Sequence, residues 1–309
     1  MSAVDANFMS CRRTVHLLSK SVQCNGSNEQ SWKGGTMDDG LHLVHLSDTH
    51  LTAGGRLLPA GIDPWAKLAL ALSAAGEYSP DAVLITGDIA DRGDAIHADA
   101  AKILAEAQFR LGCPIITIPG NHDPSGSIDA RFNTTRISTG PHPANTVHEI
   151  NGLRVIGLDS AGFQQAQGEL DAAQLQWLRQ LLTGPAPQGT LVLLHHPPLE
   201  SFSPVLAGRG LRNAQELNSV ITGSDVRAVL CGHYHQLGAS QLAGTPIFMA
   251  PSTAFNMNPL SPTQIVEQPD AWFSALKITA DAVLSVPVSS SYAHSPSAAA
   301  QAYLSLRPS

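Results

Sequence analysis

Along most of the chain, apolar residues fall in short runs closed by polar loops. Leu41-His42-Leu43-Val44-His45-Leu46 has the composition of a strand and ends in Ser47-Asp48-Thr49-His50. Residues 82–86 form a short apolar run closed by Gly87-Asp88, the pattern of a parallel strand covered on both faces. Three more strands are predicted at 114–118, 190–194 and 226–231. They end in Pro119-Gly120-Asn121-His122-Asp123, His195-His196-Pro197-Pro198 and Gly232-His233-Tyr234-His235. Residues 147–150 and 153–159 flank the hairpin signal Asn151-Gly152, and 246–249, 272–278 and 282–288 are also strand-like. Helical patterns cover 62–77, 94–111, 171–182 and 213–221. Strands alternating with helices predict an α/β layered fold with mixed sheets and no internal repeat.

Both ends depart from this pattern. Ser, Asn, Gly and Gln dominate 21–35, so residues 1–38 are expected to be a disordered extension, with Met37 an alternative start. The domain is expected at 39–288, and the Ser/Ala-rich tail at 289–309 is expected to be loose. The apolar patch at 15–18 is too short for a secretory segment. No run approaches the ~18 apolar residues of a membrane span. The expectation is a cytoplasmic protein with no integral membrane segment.

Composition sharpens the picture. A hydrophobic fraction of 43% supports a large core and excludes disorder throughout. A net charge of -7, from 18 Lys+Arg and 25 Asp+Glu, lacks the basic footprint of a nucleic-acid binder. Cys11, Cys24, Cys113 and Cys231 are scattered and form no CxxC, so neither a disulfide framework nor a thiolate zinc site is indicated. Histidine is the unusual residue, with 13 copies, and His50, His122, His195, His196, His233 and His235 all fall in the five loops that close predicted strands.

Ligand sites in open α/β sheets lie outside the carboxyl ends of strands. Each loop alone is weak evidence: a lone Asp88 after a strand is ordinarily a turn residue, and His195-His196 could be a satisfied core pair. His233-x-His235 places two imidazoles on one side of an extended segment. Together the loops point to metal, because imidazole and carboxylate donors suit zinc, iron and manganese. A carboxylate can bridge two cations, and Asp88 is the natural bridge. Two metals ~3.5–4 Å apart clamp a phosphoryl group for in-line displacement. Metal charge would also let an acidic protein hold an anionic phosphate ester.

Asp48-Thr49-His50, Gly87-Asp88, Gly120-Asn121-His122-Asp123, His195-His196-Pro197 and Gly232-His233-Tyr234-His235 resemble the five-block signature of the calcineurin-like metallophosphoesterases. The blocks span about residues 41–250. Their spacing, with Thr222-Gly223-Ser224-Asp225-Val226-Arg227-Ala228, is most similar to bacterial class III cyclic nucleotide phosphodiesterases. The resemblance implies a four-layer αββα sandwich of mixed β-sheets. It implies one metal held by Asp48, His50, Asp88 and His235 and a second by Asp88, Asn121, His195 and His233. His50, Asp88, Asn121, His122 and His235 would surround the substrate phosphate. His122 would protonate the leaving group, and Asp123 would orient His122. His196 is expected to pack behind the ligands, and Cys231 and Tyr234 carry little weight. The implied activity is hydrolysis of a 3',5'-cyclic nucleotide such as cyclic AMP to the 5'-monophosphate, by in-line attack of a hydroxide bridging the two metals.

A glycerophosphodiesterase or a broad phosphodiesterase or phosphatase would use the same centre. Substrate choice would then lie in loops such as 199–211, with Arg209 and Arg212 as candidates, and 251–262. A metal-free scaffold of this fold would be expected to have lost ligands, and this chain retains them all. The nitrogen and oxygen donor set accepts iron, manganese, zinc or cobalt. A homodimer is compatible with this reading, though no segment argues for one.

Overall fold

In the computed structural model the residues described are 40–308, apart from 125, 130, 163, 267, 294 and 295. The expected extension at 1–38 lies outside them. The strands are β1 Leu41–Leu46, β2 Ala82–Thr86, β3 Ile115–Ile118, β4 Ser138–Thr139, β5 Thr146–Ile150, β6 Leu153–Gly157 and β7 Thr190–Leu193. They continue with β8 Val226–Cys231, β9 Gly238–Leu242, β10 Thr245–Met249, β11 Asn256–Asn258, β12 Ser261–Val266, β13 Trp272–Ile278 and β14 Val283–Ser289. The helices are α1 Pro64–Tyr78, α2 His97–Leu111, α3 Ala172–Leu181, α4 Ala214–Ile221 and α5 Pro296–Leu304.

Two sheets dominate, ordered β14-β13-β1-β2-β3 and β4-β5-β6-β7-β8-β10-β9, and β11-β12 forms a separate hairpin. β1, β2 and β3 run parallel, and β13 and β14 add antiparallel strands at one edge. In the second sheet β6, β7, β8 and β10 run parallel, flanked by antiparallel β5 and β9. The short apolar runs follow from burial on both faces. Leu43, Leu84, Ile116, Leu191, Leu193 and Leu230 meet between the sheets. Val44, Val83 and Ile85 instead pack with Leu68, Leu72 and Leu104 of α1 and α2. Val192 and Val229 pack with Leu178 of α3 and Leu217 of α4. The result is the expected αββα sandwich. Its parallel strands deliver their carboxyl ends, and the five motif loops, to one edge.

Local chemistry sets the helix boundaries. Asp63 caps α1 by accepting from the Trp65 and Ala66 N–H groups, and Pro64 occupies the first turn. Asp171 and Gln174 form a capping box at α3. Sequence periodicity missed β4, β9, β11, β12 and α5. β9 reads Gly-Ala-Ser-Gln-Leu and lies at a sheet edge with mostly exposed side chains, so no apolar alternation marks it.

The expectation of a loose tail at 289–309 is corrected. Residues 283–289 complete β14, and α5 docks through Ala300 and Tyr303, both buried in the α1/α2 core layer. Alanine is the best helix former, so an Ser/Ala-rich segment folds once one aromatic anchor is buried. Arg307 then pairs with Asp63 at 2.6 Å. Tyr303→Ala is expected to destabilise the domain by about 3 kcal/mol, the cost of emptying a buried aromatic site. Urea unfolding would read this as a lower midpoint at constant slope.

Candidate metal centre

The loop after β1 carries Asp48 and His50, and the loop after β2 carries Asp88. Asn121 and His122 follow β3, His195 follows β7, and His233 and His235 follow β8. Among the described residues, Asp48, His50, Asp88, His233 and His235 are five of eleven non-glycine residues with positive φ, at 54°, 43°, 52°, 71° and 51°. Such strain persists where the surrounding structure fixes it, and it concentrates at functional sites. Glycines make room behind the carboxylates. A Cβ at Gly120 would strike the Asp88 carboxylate, and one at Gly232 would strike Ser47 and Asp48.

Among the described residues the donor atoms converge as three clusters, two of which share Asp88 while the third joins His50, Asp91 and His122. Asp48, His50, Asp88 and His235 bring ligand atoms within 4.8 Å of one another, as do Asp88, His195 and His233. In the first cluster, Nε2 of His50 lies 2.9 Å from Nε2 of His235, and Nε2 of His235 lies 3.4 Å from Oδ1 of Asp48. In the second, Nε2 of His195 lies 3.2 Å from Nδ1 of His233 and 3.2 Å from Oδ1 of Asn121. Oδ2 of Asp88 belongs to both, 3.7 Å from Nε2 of His50 and 3.3 Å from Nε2 of His195.

Backbone carbonyls set the tautomers. His195 donates Nδ1–H to the Thr86 carbonyl at 2.7 Å, and His235 donates Nδ1–H to the Phe255 carbonyl at 3.0 Å. His233 donates Nε2–H to the Ala166 carbonyl at 3.0 Å. A carbonyl only accepts, so each ring turns its other nitrogen into the cluster. That is how ligating imidazoles are held.

Charge supports the same reading. Asp48 and Asp88 are 0% and 2% exposed. Burial alone would raise both carboxyls, but His235 beside Asp48 and His195 beside Asp88 hold both well below the usual carboxylate range. Burial would lower His195, but Asp88 and Asp48 raise it to about 9. Burial and then His195 lower His233 to about 3, leaving it a neutral donor. Two buried anions faced by imidazole nitrogens, with no hydrogen-bonded Lys or Arg among the described residues, are a donor set that a pair of cations would satisfy.

Residues 41–237 match the calcineurin-like phosphoesterase family. The chain belongs to that family. It is 39% identical over 220 residues to a probable cyclic nucleotide phosphodiesterase of Rhodococcus erythropolis, covering 70% of this chain and 72% of the relative. It is 34% identical over 221 residues to a cAMP/cGMP dual specificity phosphodiesterase of Mycobacterium tuberculosis, covering 70% and 68%. A dimetal phosphatase from Danio rerio shares the fold at a TM-score of 0.55 and 15% identity, over 81% of this chain and 99% of that one. The chain is thus a phosphoester hydrolase with a candidate two-metal centre. Among the described residues no helix is long and apolar enough to cross a membrane.

Two expectations about this family site need correction. Asp123 does not orient His122. Its Oδ1 accepts from Ala90 N–H and His97, and its Oδ2 accepts from Ile89 N–H and Gly120 N–H. Four donors fill the carboxylate, so Asp123 ties the β2 and β3 loops to α2. His122 is fixed instead by Arg92 N–H, which donates to its Nδ1 at 3.1 Å, and by its own N–H, which donates to Asp88 Oδ1 at 2.8 Å. Of the two candidate arginines, only Arg209 lines the cleft, while Arg212 pairs with Glu169 at 3.2 Å. His196 bonds Ser160 through Nδ1 at 3.0 Å.

Sequence reasoning passed over Asp91. Its Oδ1 lies 3.4 Å from Nδ1 of His50, and its Oδ2 bonds Arg56 at 3.0 Å. Burial would raise this carboxyl, but the His50 and Arg56 contacts bring it to about 2. The available signal was a second aspartate in the loop of Asp88. Asp91→Asn is expected to weaken one of two metals by roughly 10–100-fold, the usual cost of losing a partner behind a ligating histidine. Metal titration would read this as one site weakened and one retained.

Proposed function

We propose that the chain hydrolyses 3',5'-cyclic nucleotides, cyclic AMP among them, to 5'-monophosphates. The observation that carries this is the pair of donor clusters meeting at Asp88 on the floor of a cleft of about 500 Å³. The names of the two bacterial relatives supply the substrate class.

Asp48, His50, Asp88 and His235 would hold one metal, and Asp88, Asn121, His195 and His233 the other. Iron, manganese or both are the preferred occupants, with zinc or cobalt compatible. When bound, the metals supply positive charge for the phosphoryl oxygens and lower the pKa of water. The protein does the rest. His195, His233 and His235, locked by carbonyls, hold the ring orientations without reorganisation. Arg92 and Arg209 line the cleft around them and add positive charge for an anionic ester. Arg92 N–H occupies Nδ1 of His122, so the proton of the neutral ring sits on Nε2. Burial lowers the His122 pKa, and an anionic diester beside it raises it again. His122 Nε2–H is therefore placed to hydrogen-bond the departing ribose 3'-oxygen; to give it a proton the ring must first become the imidazolium, whose Nδ1–H would turn from Arg92 N–H to Asp91 Oδ1, 3.8 Å away.

The test is a substrate panel on the metal-loaded protein: cyclic AMP, cyclic GMP, 2',3'-cyclic AMP, glycerophosphocholine and a phosphomonoester. The proposal expects the 3',5'-cyclic nucleotides to lead and 5'-AMP to be the product from cyclic AMP. A lead for glycerophosphocholine would move the chain to glycerophosphodiester chemistry.

A further inference from the structure

A second cavity of about 740 Å³ adjoins the metal cleft, and Tyr234, His235 and Met257 line both. The two differ in chemistry. Arg56, Arg92 and Arg209 line the metal cleft, whereas no Lys or Arg lines the second cavity. That groove is walled by Phe202, Leu237, Met249 and Trp272, of which Phe202 is 76% and Leu237 50% exposed. Its lining also includes Gln236 and Gln268. Gln236 Nε2, Gln268 Oε1 and Trp272 Nε1 are buried without a hydrogen-bond partner, and Gln236 as a whole is only 8% exposed.

Each such atom is destabilising while it stays unpaired. An amide donor and an amide acceptor in an aromatic and thioether groove suit a flat, neutral, edge-polar ligand. Glutamine amides pair with the N6/N7 edge of adenine, and aromatic side chains take base faces. Only a ribose separates base from phosphate in a nucleotide, so a base site has to adjoin the phosphate site, as this groove does.

We propose that the groove is the base site of the enzyme and takes the purine of a nucleotide whose phosphate lies at the metal centre, with Gln236 and Gln268 meeting the base edge. This rests on the cyclic-nucleotide reading and extends it from the phosphate to the base.

The experiment is calorimetric titration of the metal-loaded full chain with 5'-AMP and, separately, inorganic phosphate. Wild type should bind AMP more tightly than phosphate. Gln236→Leu and Gln268→Leu should each raise the AMP Kd by about three- to tenfold, one hydrogen bond's worth, and leave the phosphate Kd within about twofold. Ala239→Trp, an exposed change on β9 that fills the groove, should weaken AMP at least as much. Equal Kd values for AMP and phosphate in wild type would overturn the proposal. So would parallel shifts of both ligands, or an AMP Kd unmoved in all three variants, the result expected of a groove that contacts another protein. Wild type that binds AMP tightly yet leaves cyclic AMP intact while cleaving bis(p-nitrophenyl) phosphate would sink the cyclic-nucleotide reading and leave the base site standing.

Discussion

Asp88→Ala is expected to abolish hydrolysis and strip both metals. Asp88 Oδ2 is the atom common to both donor clusters, and Oδ1 holds the His122 backbone. On the proposed reading, one change removes the bridge, leaves two cations facing each other, and frees the loop that carries His122. The metals contribute several kcal/mol of transition-state stabilisation. At about tenfold per 1.4 kcal/mol, the loss is roughly 10³-fold or more. Asn121→Ala should be milder for metal, because a neutral amide oxygen is the weaker ligand, while still lowering turnover. Metal content by emission spectroscopy and kcat/KM on the same preparations check both. An Asp88→Ala protein that retained two metals per chain would end the bridging role.

His122→Ala should keep both metals and lose activity according to the leaving group. A ribose alkoxide needs a proton as it departs, and a nitrophenolate does not. The loss should be about 10²–10⁴-fold on cyclic AMP and far smaller on bis(p-nitrophenyl) phosphate. An imidazole that merely held phosphoryl oxygens would lower both alike, since both substrates present the same oxygens. The comparison is kcat/KM for both substrates on metal-quantified protein, and equal losses would remove the proton-donor role.

The layers and the ligand loops were legible for one reason. A strand buried on both faces is a continuous apolar run, and the polar residues that end it are conspicuous. Asp48, His50, Asp88, Asn121, His195, His233 and His235 all stand in that position. What escaped was whatever depends on partners distant in sequence. Asp123 was paired with its neighbour His122, but its carboxylate faces α2 and the β2 loop. The carbonyls of Thr86, Ala166 and Phe255, which fix three ring tautomers, carry no side-chain signature. The base groove draws on Phe202, Gln236, Gln268 and Trp272, four separate segments with no common period. α5 was hidden because alanine marks a helix face weakly; among the described residues Ala300 and Tyr303 are buried in the core and Leu304 packs against it.

The central claim is that residues from five strand ends hold two metals and that hydrolysis depends on the pair. Metal-stripped protein titrated with manganese, with bound metal and cyclic AMP turnover followed together, tests it most directly. Turnover should be negligible without metal, rise with occupancy, level off at two metals per chain and disappear with a chelator. Full turnover by the metal-free protein, or a plateau reached with a single metal per chain, would contradict it.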